Sequence, residues 1–313
     1  MLRFVIRRLF AGLLLAFVVV TGMFFFLTLT GTDPARGSLG MYATAAQVET
    51  RRHQLGLDRP AFVQYFDWLG KALTGNLGTS SAQNAPVIDL IVTRLPVTVS
   101  LALGAVLVAA ILGIVLGVFA AVRPGKVDRV LQIVMVLGFA LPNFWVALII
   151  AQVFAVQLRW FPATGYTPFL DSPLGWLSSI TLPIIALSIG SIAAIAQQIR
   201  NSVITVYEQD YVRTLRSRGL SSRNILFTHV LRNASPPALT MLSLQFIAAL
   251  SGAAIVERVF ALQGIGSVGI NASGSGDISV IMGMLLFTVL VVVAVNFVVD
   301  VLYGALNPKV RVA

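Results

Sequence analysis

The sequence predicts an all-α polytopic membrane protein with six transmembrane helices and both termini in the cytoplasm. Three observations predict it. Of 313 residues, 57% are hydrophobic and only 11% charged, with a mean hydropathy of +0.89, whereas soluble domains carry about 25% charged residues. The apolar residues gather in runs close to the roughly 20 residues that cross a bilayer. Basic residues collect in the short loops on one side of those runs. Helices follow because hydrocarbon offers the backbone no partners, and only helices or closed barrels satisfy it internally.

The first run, about Leu9–Leu29, follows the basic start "MLRFVIRR". It is longer than the apolar core of a signal peptide and no small-x-small cleavage site follows it, so it reads as an uncleaved anchor. This gives an N-terminal transmembrane helix over 1–30, an extracytoplasmic helical segment over 31–96, a core of five spans over 97–307 and a cytoplasmic tail over 308–313. In the second part Pro60 stands near a helix start, and Phe62, Phe66 and Leu69 recur at helical spacing. "TGNLGTSS" breaks that helix, and "APVIDLIVTRLP" reads as a short helix stopping before Pro96. The segment reads equally as a packed cap and as a docking surface. The core spans are about Val97–Val122, Leu131–Val156, Ile180–Ile199, Ala238–Ile255 and Val280–Tyr303. Gly113 and Gly117 form a small-xxx-small pair that suits close helix packing.

The net charge of +10 sits in clusters. Arg3, Arg7 and Arg8 precede the first span; Arg123, Lys126 and Arg129 lie between the second and third. Arg200, Arg213, Arg216, Arg218, Arg223 and Arg232 fill the next loop on that side, and Lys309 and Arg311 follow the sixth span. The opposite short loops hold only Arg159 and Arg258. The positive-inside rule therefore places both termini and the loop 200–237 in the cytoplasm.

Within that loop Tyr207, Tyr211 and Leu215 fall at helical spacing with Val212 beside them, while Arg213, Arg216 and Ser217 occupy another face. Gly219 suits a left-handed C′ residue, and Ser221 can cap a second helix containing Ile225, Leu226, Val230 and Leu231. A solvated basic loop is the plainer reading. The apolar face and the punctuation instead point to a rigid element docked on something.

Several chemistries are excluded. With no cysteine, disulfides, thiolate metal sites and cysteine nucleophiles are absent, and the two histidines, His53 and His229, lie far apart in the chain. "RPGKVD" has Val127 where a phosphate-binding loop needs Ser or Thr. "GIGSVG" fits the dinucleotide pattern but lies between two spans rather than in a βαβ unit. No nucleophile stands at recognisable spacing from a base, so no catalytic residue is assigned, and no metal site. Glu257 and Asp300 sit near span ends, so no carboxylate lies at mid-membrane, where a proton-coupled carrier keeps its relay. Polar residues inside spans are mostly amides and hydroxyls, and Asn143, Gln152, Ser191 and Gln245 are the candidates for a path taken by a polar solute. Interhelical hydrogen bonding is the competing role for each. Asn143 leads because Pro142 frees backbone groups beside it. An ion-coupled secondary transporter and a sensor or assembly protein stay open on these grounds.

"DYVRTLRSRGLSSRNILFTHVLRNA" resembles the cytoplasmic loop of bacterial ABC importer permeases of the dipeptide, oligopeptide and nickel-related family. "MLRFVIRRL", "LGLDRPAFVQYFDWLGKALTGNLGTS", "RLPVTVSLAL", "ALPNFW", "GIGSVGINA" and "VVDVLYGALNPKVR" extend the resemblance over nearly the whole chain. The long segment after the first span looks like the B-type subunit. The resemblance implies a type I importer permease fold and a coupling helix gripped by a separate ATPase, with Tyr211, Arg213, Thr214, Leu215, Arg216, Arg218, Gly219 and Leu220 on the motif. Leu215 and Ser217 stand where the family usually has Ala, and Arg218 where it has Lys. "LTGTDP" replaces the common "PGDP", and Gln263 stands where Pro often precedes "GIG". Gly264 and Gly266 would face a binding protein. Also implied are a transport subunit rather than an enzyme, no cofactor in this chain, and ATP and Mg bound by two partner ATPases. A second homologous permease, an extracytoplasmic binding protein and the bacterial plasma membrane complete the assembly. The expected cargo is dipeptides or oligopeptides; the same scaffold also serves nickel, glutathione and haem.

Overall fold

The computed structural model describes residues 2–30, 33–39 and 42–306. The tail 308–313 with Lys309 and Arg311, the Gly31–Thr32 part of "LTGTDP" and the side chain of Arg3 lie outside the described residues. Among those described, the elements are helical apart from one isolated bridge between Thr79 and Pro86. They are α1 (Leu2–Leu29), α2 (Pro34–Leu39), α3 (Ala45–Gln54), α4 (Ala61–Leu73), α5 (Val87–Val122), α6 (Lys126–Ala140), α7 (Asn143–Ile150), α8 (Pro173–Tyr207), α9 (Asp210–Ser217), α10 (Ser222–Asn224), α11 (Leu231–Val259), α12 (Ile265–Ser275) and α13 (Ile278–Leu306). A π-helical turn, Ala151–Gln157, continues α7, and another, Ile225–Val230, joins α10 to α11.

Five of these helical stretches are long and apolar enough to cross a membrane, and α6 with the α7 segment makes a sixth that is bent by 95°. The third span is thus broken rather than straight. Leu141 precedes a proline, which disfavours helical backbone there, and Leu141 and Pro142 adopt extended ψ values of 124° and 133°. The helix expected to stop before Pro96 instead runs unbroken through it as α5. Val87 and Ile91, before the proline, are 0% and 1% exposed against Leu77, Val280 and Met284. Leu101, Ala102 and Ala105 after it are fully buried. Tertiary burial on both sides outweighs one missing N–H. Pro183, Pro236 and Pro237 likewise lie inside α8 and α11.

The chain divides into two compact units. One comprises 98–262 with 298–306. There α8 is the central helix, flanked by α6, α7 and α11. α5 lies close against it: a Cβ on Gly113 would stand 2.8 Å from Ile195, and one on Gly117 would stand 2.5 Å from the Ala196 carbonyl oxygen. The other comprises 2–97 with 263–297. In it Tyr65, 3% exposed, packs on Phe24 at 5.3 Å between ring centres and shares a 2.6 Å hydrogen bond with Thr21, fixing α4 to α1. The buried stripe of α4 is Tyr65, Trp68 and Leu69, while Phe62 and Phe66 turn outward at 59% and 66% exposure. Asp277, 1% exposed, accepts from Ser80 Oγ at 2.6 Å and from the Ala82 and Val280 backbone N–H groups, tying the 79–86 loop to the start of α13.

Candidate functional site

The loop after α8 forms a defined element in the first unit. α9 opens with Asp210, whose charge suits the helix N-terminus, and ends with Arg216 in its last turn. Val212 is fully buried, and Tyr211, Leu215 and Leu220 pack beside it on Val203, Val206, Ile225, Leu226, Val230 and Ala234. Tyr211 also accepts a 2.9 Å hydrogen bond from the Asn233 amide on α11. The C-terminus closes as a Schellman turn: Gly219 N–H reaches Arg216 O at 3.0 Å and Leu220 N–H reaches Leu215 O at 3.3 Å, with Gly219 at φ +81°. The two leucines sit on the same apolar cluster. Ser221 then caps α10, its Oγ accepting from Asn224 N–H at 3.3 Å.

The candidate coupling residues therefore divide between two faces. Arg213, Thr214, Arg216 and Arg218 are exposed, with Ser217 among them, and Gly219 is open to solvent. Tyr211, Leu215 and Leu220 turn inward. Arg213 makes only a 3.4 Å pair with Asp210 in which both side chains are well exposed, and Arg216 lies 5.5 Å over the Tyr207 ring. α9 is a short ridge, apolar toward its own protein and cationic outward.

Beside it lies a pair that sequence reading missed. Arg200 donates from Nε and from an Nη to the two oxygens of Asp128, both at 2.6 Å, with the side chains only 16% and 15% exposed. Gln132 donates to the same carboxylate at 3.0 Å. This bidentate contact clamps the start of α6 to α8. Asp128 and Arg200 are 72 residues apart, so no local signal joined them.

Of the candidate path residues, two meet directly: Ser191 on α8 donates to Gln245 on α11 at 2.9 Å. Asn143 sits at the break before α7 between two glycines. A Cβ on Gly252 would stand 3.3 Å from its amide nitrogen, and one on Gly190 would stand 3.7 Å from its amide oxygen. Gln152 lies apart, exposed on the π-helical turn. Glu257, at the end of α11, is wholly buried and accepts from Thr98 Oγ at 2.5 Å. In the second unit Gly264 caps α12 with an ordinary extended backbone, φ −92°, and Gly266 lies within that helix. Neither glycine has a positive φ. Among the described residues no cluster of histidine and carboxylate groups is placed to hold a metal ion.

Comparison with known proteins gives a consistent result. The sequence profile of the "Binding-protein-dependent transport system inner membrane component" family matches residues 113–312, and the profile of its N-terminal part matches 1–102. A putative peptide transport system permease protein of Brucella abortus (strain 2308) is 38% identical over 308 residues, covering 98% of each chain. The di/tripeptide transport system permease protein DppB of Pseudomonas aeruginosa (strain UCBPP-PA14) is 36% identical, with 99% of each chain covered. The glutathione transport system permease protein GsiC of Escherichia coli O6:H1 is also 36% identical, again over 99% of each. Among solved structures, an inward-facing form of the MetNI methionine ABC transporter superposes with a TM-score of 0.57. That match is 18% identical and covers 70% of this chain and 96% of the other, so the likeness is one of fold.

Proposed function

This chain belongs to the family of binding-protein-dependent transport system inner membrane components, and from that premise we propose that it passes dipeptides or oligopeptides across a bacterial plasma membrane. It is a permease subunit of an ABC importer. In the proposed assembly it works with a second homologous permease, two ATPases that bind ATP and Mg, and an extracytoplasmic binding protein that delivers cargo. Both termini and α9 face the cytoplasm, following the distribution of basic loop residues.

The observation that carries the mechanism is the two-faced character of α9. Its buried Val212 face makes it one body with the end of α8 and the start of α11, while its exposed arginines offer a cationic ridge to a partner. An ATPase that grips the ridge moves α8 and α11 with it. Ser191 and Gln245 join those two helices higher up, and with Asn143 and Gln152 they are the proposed path residues. Cargo of peptide chemistry suits amide and hydroxyl groups, which both donate and accept hydrogen bonds. The relative named for glutathione, a tripeptide, makes that cargo the second reading.

The test is reconstitution of this chain with its second permease, ATPases and binding protein in liposomes, with labelled dipeptides, oligopeptides and glutathione offered outside. Uptake is expected only with the binding protein and with ATP inside. Accumulation by this chain alone, driven by a pH gradient, would replace the proposal with an ion-coupled carrier.

A further inference from the structure

The second unit holds a polar cleft of about 580 Å3 between α3 and the 79–86 loop. Gln47, Arg51 and Gln54 line it from α3, Ser81 and Asn84 from the loop, and Leu39 from the end of α2; of the residues lining it none is acidic. Both walls are held in place. Arg52 ties α3 to Asp33, just before α2, at 2.7 Å. The loop is closed by Ser80 N–H on Ala85 O at 2.8 Å and tied to Asp277 through Ser80 Oγ, with Asn84 at φ +51°. The volume falls within the roughly 300–1,000 Å3 of small-molecule pockets.

The cleft is rich in donors left over from the fold's own hydrogen bonds. Gln47 Oε1 accepts from Thr44 N–H and Gln54 Oε1 from Arg51, so each side chain has its NH2 group to offer. Arg52, Arg59 and Lys71 each meet a carboxylate within 3.2 Å. Arg51, half-buried, meets none among the described residues and reaches only Gln54, at 3.3 Å. Ser81 Oγ is shut off from water with no hydrogen-bond partner among the described residues. That state is destabilising, and a turn about χ1 toward an acceptor in the cleft would relieve it. Neutral donors gathered around an unpaired guanidinium suit a carboxylate.

We propose that this cleft takes the C-terminal carboxylate of a peptide on Arg51. Gln54, Ser81 and Asn84 donate to that carboxylate and to the last peptide carbonyl, and Leu39 lies beside the last side chain. The choice of a peptide rests on the cargo proposed above; the carboxylate chemistry does not. A lone acidic side chain from a docked protein would fill only a fraction of the volume. The cleft belongs to a different unit from Ser191 and Gln245, so it is a site additional to the proposed path.

The assembled transporter in nanodiscs, without binding protein, tests this by saturation-transfer NMR with trialanine and trialanine amide. Trialanine is expected to bind, and the amide, which lacks the charge, to bind about tenfold more weakly, near the low end for a hydrogen bond to a charged group. Arg51→Gln should weaken trialanine by a similar factor and leave the amide unchanged; its one partner, Gln54, is exposed, so the fold is kept. Asn84→Gly keeps the backbone that φ +51° requires and should weaken both ligands. Ser81→Ala removes an unsatisfied hydroxyl. A purely structural role predicts unaltered binding there, whereas the site predicts weaker binding with no loss of melting temperature. Unchanged trialanine affinity in Arg51→Gln overturns the proposal. So does a variant that instead loses affinity for the empty binding protein, which would make the cleft a protein contact. Uptake by the complete wild-type transporter keeps the two readings apart: uptake without this binding overturns the site alone, and the absence of both overturns the peptide assignment with it.

Discussion

Gly219 offers the sharpest test of the coupling role proposed for α9, because its cost separates cleanly into one term. The residue holds φ +81° at the end of α9, and a Cβ placed there would meet nothing within 4 Å. Steric contact therefore contributes nothing, and the penalty for a side chain is the backbone penalty alone. A left-handed residue with a Cβ costs about 1–2 kcal/mol. A β-branched residue pays at the upper end, whereas asparagine, which visits this region readily, pays least. At 1.4 kcal/mol per factor of ten, Gly219→Val shifts the balance between docked and undocked α9 by about 5- to 30-fold toward undocked. The membrane-crossing helices make their contacts elsewhere and are expected to remain folded. The assay is peptide uptake by the reconstituted transporter, with ATP hydrolysis stimulated by loaded binding protein as a second readout. Uptake is expected to fall in the order Gly219, Asn, Ala, Val, with insertion and assembly unchanged. If Gly219→Asn were as impaired as Gly219→Val, the strain argument would fail. If Gly219→Val transported at the normal rate, α9 would not be the coupling element.

Further expectations follow from single contacts. Leu215→Asp places a carboxylate on the inward face of α9 and should abolish ATP-dependent uptake, whereas Thr214→Ala on the outward face leaves the melting temperature unchanged. Arg200→Ala strands the half-buried Asp128 carboxylate and should cost on the order of 3 kcal/mol, seen as a lower melting temperature in detergent; Arg200→Met with Asp128→Leu should restore most of it. The Ser191→Ala and Gln245→Ala cycle should give a coupling of about 0.6 kcal/mol in stability, and a larger loss of uptake in the double variant would mark a path role. In the 33–86 segment, burial pushes Asp33 up, but the Arg52 guanidinium 2.7 Å away and the backbone N–H groups of Ala35 and Arg36 together outweigh it and hold the carboxyl below its ordinary 3.8. Hydrogen bonds from Lys71 and Arg59 do the same for Asp67. Both folded values are depressed, so their stabilisation is fully present above the unfolded value and is lost as pH falls below it. Hydrogen exchange corrected for intrinsic rate should therefore show this segment unchanged from pH 7 to about 5 and loosening below about pH 4.

What the sequence made legible was whatever depends on near neighbours. The Gly219 turn, the Ser221 cap and the apolar stripe of Tyr211, Val212 and Leu215 are set within a few residues, and the structure contains them. Span composition is equally local. Boundaries were less legible: the helix expected to stop before Pro96 runs through it. Pro96, Pro183, Pro236 and Pro237 all lie inside helices, since a proline removes one hydrogen bond while packing on either side decides whether the helix continues. Pro142 does break its span, and nothing local distinguishes it from the others. The pairs Asp128–Arg200 and Ser80–Asp277 span 72 and 197 residues, beyond any periodicity. Asp277 carried a weak signal as an acidic residue just before an apolar run, the usual place of a helix cap.

The architecture of the first unit also restricts how motion can pass through it. α9 is anchored at Val212 to the end of α8 and through Tyr211 to Asn233 on α11, so a load on its arginines falls on both helices at once. From Val206 to Ser191 along α8 is about 22 Å, and from Ala234 to Gln245 along α11 about 16 Å, at 1.5 Å per residue. At those levels the two helices are joined again by the Ser191–Gln245 hydrogen bond. Two helices fixed to each other at both points move as one lever, since packed interfaces shift between discrete arrangements rather than deforming smoothly. The α6–α7 span is different: it is clamped to α8 at its base by Asp128 and Arg200 but bent by 95° at Pro142. A rotation of the lever therefore carries the base of α6 with it, and the break beside Asn143 is where α7 can lag behind. That places the change of shape next to the amide set between Gly190 and Gly252, so replacing Pro142 with alanine, which restores the missing N–H, should slow uptake without weakening the attachment of α9.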